Sequence, residues 1–208
     1  MADTKLSDLV ELSATPASND EFYVRDESEG AADESKKIQY SNLVPAGSTT
    51  VVGGVEVAIA SEINTGTDTA RAVSPDALAG SNFGIRYFEV TCFDYETSCA
   101  TGNGKGYFHV PAGLNGMNLV EVHALCITAG TTNTMDVQIH NLTDTQDMLS
   151  TVITIDTTEK GSDSAATPAV INASYDDVAT NDTIRIDVDA IHSTPAEGLI
   201  VTLGFQLP

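Results

Sequence analysis

Apolar and polar residues alternate along the last part of the chain. Ile184, Ile186 and Val188 fall on one side of an extended segment, with Arg185, Asp187 and Asp189 on the other. Leu199, Val201, Leu203, Phe205 and Leu207 form one face of the final strand, opposite Ile200, Thr202, Gly204 and Gln206. A period of two this clean predicts antiparallel sheet with one buried face. β-Branched and aromatic runs between turn clusters predict strands near 85–93, 106–110, 119–128, 134–141, 151–156, 169–172, 183–191 and 198–207. The turns between them are read at 101–105, 130–133, 160–163, 176–182 and 193–198. About eight short strands at this spacing imply an all-β fold, an antiparallel β-sandwich that is jelly-roll-like. Val188, Val201, Leu203 and Phe205 are expected in its core.

The pattern before residue 84 is different. Residues 1–44 read as a small β unit, with Glu21–Arg25 and Lys36–Tyr40 as strands on either side of an acidic loop. Lys5–Leu12 alternates loosely, Thr15–Asp20 is a turn and Ser41–Val44 closes the unit. Residues 45–83 read as a linker and a short helical connector. Pro45–Thr50 is linker by composition, and Gly53-Gly54 permits a change of direction. A short helix is expected through Ile63, capped by Ser61. Ser74-Pro75-Asp76 is a stronger helix start, combining a capping Ser, Pro at the first helical position and an acid in the first turn. Ala79-Gly80 ends that second helix. Residues 84–208 form the sandwich.

Composition narrows the functional classes. The 208 residues carry 30 acidic and 9 basic side chains, a formal net charge of −21. Such a balance argues against nucleic acid as a partner, because phosphate binding needs a basic surface. It argues equally against anionic membrane. No apolar run reaches the ~20 residues that span a bilayer, so no membrane insertion is expected. Met-Ala-Asp-Thr-Lys lacks the basic start and apolar stretch of a signal peptide, which suggests synthesis in a cytoplasm. Cys92, Cys99 and Cys126 do not have zinc-site spacing. Cys92 and Cys126 read as small core residues, and a Cys92–Cys99 bridge is the alternative.

The connector and its flanks carry a family resemblance. Residues 54–79 run Gly-Val-Glu-Val-Ala, then Glu-Ile-Asn-Thr-Gly-Thr-Asp, then Arg-Ala-Val-Ser-Pro. This order resembles the short repeat of tailed-bacteriophage tail fibres, present here once. The Leu-Ser-Asp-Leu opening, the Asp-Glu-Phe-Tyr-Val strand and the closing Lys-Lys-Ile-Gln-Tyr-Ser-Asn-Leu resemble the N-terminal attachment segment of such fibres. Residues 107–119, 141–150, 176–182 and 186–190 are similar to a β-sandwich domain of phage structural proteins. The resemblance implies a virion protein, a short tail fibre whose residues 1–44 bind other virion proteins. It also implies a homotrimer. Residues 1–80 are too short and broken to bury a core alone, which independently calls for self-association. The sandwich would bind a host-surface glycan or protein through its loops, with 96–105, 130–133, 157–167 and 193–197 as candidates. A capsid decoration or head fibre without a receptor role is the alternative.

Catalytic signatures are not found in the sequence. There is no phosphate loop, nucleophile elbow or His-Glu-x-x-His. Gly102–Gly106 reads as a hairpin turn between strands. An enzyme is not expected, and a carboxylate-pair depolymerase is the minor alternative. No cofactor is expected. Asp176, Asp177, Asp187 and Asp189 are weak calcium candidates, since carboxylate oxygens suit that ion. Turn formation and a solvated strand face explain them without a metal. His123 alternates with Glu121, so both are placed on one partly solvated face.

Overall fold

The computed structural model describes the backbone of residues 21–25 and 35–39 and the whole of 57–208. Two compact units divide the chain, one of residues 1–58 with 67–73, the other of 59–66 with 74–208. In the first, β1 (Glu21–Arg25) pairs antiparallel with β2 (Ser35–Gln39), Glu21 opposite Gln39. The expected hairpin is therefore present, its second strand one residue early. The expectations for 1–20, 26–34 and 40–56 lie outside the described residues. β3 (Val57–Ala58) and β4 (Ala72–Val73) pair in parallel.

The larger unit contains α1 (Ala60–Thr65) and α2 (Pro75–Ala79). Ser74 caps α2 as its sequence requires, its Oγ accepting from the Ala77 N–H at 3.1 Å. α1 starts earlier than expected. Ser61 lies within it, and the Ile59 N–H at its start is satisfied instead by the Glu62 carboxylate at 3.1 Å.

Beyond Gly84 the chain is β structure. Its strands are β5 (Arg86–Thr91), β6 (Gly102–His109), β7 (Met117–Thr128), β8 (Met135–Asn141), β9 (Gln146–Asp147), β10 (Leu149–Thr151), β11 (Ile153–Ile155), β12 (Val170–Ile171), β13 (Asp177–Val178), β14 (Thr183–Ala190) and β15 (Glu197–Gln206). One sheet has the order β13-β7-β15-β5, the other β11-β8-β14-β6, with β9 added beside β8. All pairings in both are antiparallel. Successive sandwich strands thus alternate between sheets except at β8, β9 and β11, which stay in one sheet, and the last two strands lie inside the sheets that the first two edge. That is the connectivity of a jelly roll.

The alternation read from sequence holds the two layers together. Ile184, Ile186 and Val188 of β14 face Leu199, Val201, Leu203 and Phe205 of β15 in one core, all essentially without solvent exposure. Phe88, Phe108 and Phe205 join the layers, with ring centroids 4.9 Å (Phe88–Phe108) and 5.8 Å (Phe108–Phe205) apart. Leu207 departs from the pattern, since β15 stops at Gln206 and Leu207 is exposed.

Two irregularities matter for the surface. Residues 102–105 are not a turn but the first half of β6. Gly104 takes φ 71°, a left-handed value suited to glycine, and its N–H donates to Asp187 Oδ1 at 2.8 Å. The pairing with β14 shifts register there, so this glycine-rich stretch is a bulged strand. In β7, Phe205 pairs with Leu119 while Gly204 pairs with Glu121, leaving Val120 as the extra residue. That bulge reverses the alternation. Leu119 points inward before it, Ala124 and Cys126 after it, and Glu121 and His123 are turned outward together.

Candidate functional site

Strand direction sorts the sandwich's loops by end. The chain enters β5 from α2, and β5–β6, β7–β8, β11–β13 and β14–β15 are all connected at the far end. These connections contain the four loops singled out in the sequence, apart from residues 102–105, which belong to β6. They are bonded to one another. Thr131 pairs with Thr194, the Thr158 N–H donates to Gly130 O at 2.9 Å and the Thr132 N–H to Thr157 Oγ1 at 2.7 Å. Ser98 bridges Glu197, and the Cys99 N–H donates to Ala196 O at 2.8 Å. His192 is buried beneath them, Nε2 3.4 Å from Asp156 O.

From that end, the 157–169 connection folds back along the edge of β7. The Cys126 N–H donates to Lys160 O at 2.7 Å, and the Ser162 N–H to Ala124 O at 3.0 Å. Ser162 Oγ accepts from the Ala124 N–H at 3.0 Å. This edge pairing delivers Asp163 to the outer face of the sheet, where four polar side chains form a line. Asp163 Oδ1 lies 2.7 Å from His123 Nδ1, and Glu121 Oε1 2.6 Å from His123 Nε2. Tyr87 donates its hydroxyl to Glu121 Oε2.

Gly204 makes the last contact feasible. It sits on β15 between Tyr87 of β5 and Glu121 of β7. Strands lie ~4.8 Å apart, so the tyrosine must cross a whole strand to reach its partner. A Cβ at 204 would stand 3.0 Å from the Tyr87 ring and 3.1 Å from Glu121 Cβ, blocking that path.

Carboxylates accept, so a histidine with both ring nitrogens on carboxylates is favoured as the imidazolium, which can donate from both. Its pKa is accordingly raised, chiefly by the bond to Glu121, with Asp163 adding to it. The Glu121 pKa is lowered by its bonds with Tyr87 and His123. Tyr87 is raised by the same bond to Glu121. The cluster is an electrostatic clasp between sheet and loop.

Beside the clasp is an open hollow of about 370 Å³, lined by Val122, His123, Ser162, Asp163, Pro168 and Ala169. Asp163 is 79% exposed, and its Oδ2 makes no hydrogen bond among the described residues.

The acidic candidates are placed apart. Asp177 is on β13 at one sheet's edge, with Asp176 just before it. Asp187 and Asp189 are on β14 of the other sheet. Asp187 is buried, and both its oxygens engage Arg185, Nε at 2.8 Å from Oδ1 and Nη2 at 2.8 Å from Oδ2. The Asp189 pKa is raised by burial and by Asp187, Asp147 and Asp136. Among the described residues, no group of three or more His, Cys, Asp or Glu is arranged to hold a metal. The cysteines are free thiols. Cys99 and Cys126 are buried thiols; the neighbouring Cys99 thiol and burial raise the Cys126 pKa, and burial pushes Cys92 up to about 12.

Sequence reading placed Glu121 and His123 together but not Asp163 and Tyr87, which lie 40 residues after His123 and 34 before Glu121. The available signal was Gly204, a glycine inside a strong strand, which marks a close approach. No protein-family model, curated protein or solved structure matches this chain. Among the described residues, no helix is long and apolar enough to cross a membrane.

Proposed function

We propose that this chain is a structural protein of a tailed-bacteriophage virion, a short tail fibre. Residues 1–44 attach it to other virion proteins, and the sandwich meets the host surface. The supporting observation is topological. Within the larger unit, α2 leads into one end of the jelly roll, and four interlocked loops form the opposite end. A rigid scaffold with loops at its free end is a usual recognition arrangement. The connector contributes a short strand, a helix, a second short strand and a second helix in that order.

The fibre works as a homotrimer in this reading and catalyses nothing. Support for self-association comes from exposed apolar side chains in the larger unit, where Phe83 is 74% exposed and Ile59 61%. A groove of about 280 Å³ lies beside Phe83, lined also by Leu78, Arg86, Met117 and Leu207, and no acidic residue lines it. On a chain of net charge −21, self-contact is least opposed at such a place.

Cryo-microscopy of the particle tests the proposal. Density for residues 84–208 projecting from the tail, with residues 1–44 at the base, is the expected result. Density lying flat on the capsid shell would overturn it and favour a decoration protein.

A further inference from the structure

We propose that the hollow beside His123 is a binding site for a neutral polyhydroxylated ring, a single sugar unit. The proposal narrows the host-attachment reading to one place and rests on it for the source of the sugar.

The hollow holds about 370 Å³, at the small end of the roughly 300–1,000 Å³ usual for ligand pockets. One hydrogen-bond acceptor is held ready. His123 fixes Asp163 through Oδ1 and leaves Oδ2 without a partner among the described residues. One donor is also ready. Ser162 Oγ already accepts from the Ala124 N–H, which orients the hydroxyl and leaves its proton to give. Val122, Pro168 and Ala169 supply apolar wall. An acceptor and a donor beside an apolar wall match a ring with hydroxyls at its edge and C–H groups on its face.

Other ligand classes fit worse. Anions meet Asp163 and Glu121 on a strongly acidic chain. Cations meet the His123 imidazolium, which already neutralises part of the carboxylate charge. A purely apolar ligand would strip water from Asp163 Oδ2 without replacing its hydrogen bonds, which is costly. A neutral polyol satisfies Asp163 and Ser162 at once. The backbone bonds from 160 and 162 to β7 hold the site in shape, so little ordering is needed on binding.

The test is a titration of the full chain followed by NMR of the His123 ring and the Ser162 and Asp163 amides. Glucose, galactose, mannose and N-acetylglucosamine are added to about 50 mM, a range that captures millimolar affinities. Glucuronate and N-acetylneuraminate are the charged controls. We expect saturable shifts at these groups with at least one neutral sugar, and none with glucuronate. Ser162→Ala and Asp163→Ala should each weaken binding about tenfold or more while still unfolding cooperatively, with at most a modest drop in melting temperature from the lost Ala124 and His123 bonds. Flat titrations with all four neutral sugars would overturn the proposal, as would shifts that both variants leave unchanged or preferential binding of the acidic sugars. Should either variant fail to fold, Asp163→Asn serves in its place: its one oxygen is needed by His123 Nδ1–H, so an NH2 donor replaces the Oδ2 acceptor and binding must also weaken. The attachment reading is tested separately by blocking of virus adsorption. Blocking that persists with flat sugar titrations removes this site and leaves that reading standing. Sugar binding without blocking does the reverse.

Discussion

A histidine held between two carboxylates titrates in a predictable direction. The folded pKa of His123 lies above its ordinary 6.5, so its contribution to stability is complete below that value and is lost as pH rises through the raised pKa. The folded pKa of Glu121 lies below its ordinary 4.5, so its contribution is present above that value and is lost as pH falls through the lowered pKa. The clasp therefore stabilises most in the weakly acidic to neutral window between them. Both side chains are more than a third exposed, 42% and 38%, so the effect stays below about 1 kcal/mol. NMR titration of the His123 ring should give a midpoint above 6.5, and a midpoint at or below it would break the doubly bonded assignment. Gly204→Ala should displace the Tyr87 ring and destabilise by about 1 kcal/mol, since the new methyl would press on the ring at 3.0 Å and on Glu121 Cβ at 3.1 Å. Chemical denaturation measures that loss, and an unchanged midpoint would mean Tyr87 does not cross β15 as described. The thiols supply a third check. Cys126 is buried and its pKa raised, and Cys92 is held near 12, so little reactive thiolate forms at neutral pH. A thiol reagent should leave these two unmodified until the protein unfolds.

Strand faces set what a single core substitution does. Leu203 is fully buried between Val201 and Phe205 on β15, and a charge there has no partner. Leu203→Asp should abolish cooperative unfolding, because an unpaired buried charge costs several kcal/mol. A variant with the full wild-type melting temperature would show the face to be wrongly assigned. β14 and β15 were legible in sequence because their alternation runs unbroken over many residues. β6 was legible only in its second half, since glycines at 102, 104 and 106 read as a turn when viewed without the partner strand. Asp187 and β14 supply the bonds that keep that segment extended. β10 and β13, three and two residues long, carry too little pattern to stand apart from the turns around them. The clasp was half legible for a related reason. Alternation shows which residues share a strand face, but Asp163 arrives from a loop and Tyr87 from across another strand. The pairing of β7 with residues 160–162 brings in Asp163, and the order β7-β15-β5, with Gly204 between, brings in Tyr87.

The jelly roll organises the whole larger unit around one polarity, with α2 at the entering end and the interlocked loops at the other. Its acidic charge should make self-association sensitive to ionic strength. Mass measurement in solution should give a trimer, and added salt should strengthen it by screening like charges. A stable monomer at every salt concentration would defeat the oligomeric part of the proposal. The attachment reading depends on the loop end meeting the host, and one experiment reads that directly. Host cells are incubated with the purified full-length protein before the virus is added, and adsorption is counted. The account predicts that adsorption falls in proportion to protein concentration and reaches a floor at saturation. Undiminished adsorption at saturating protein would contradict it.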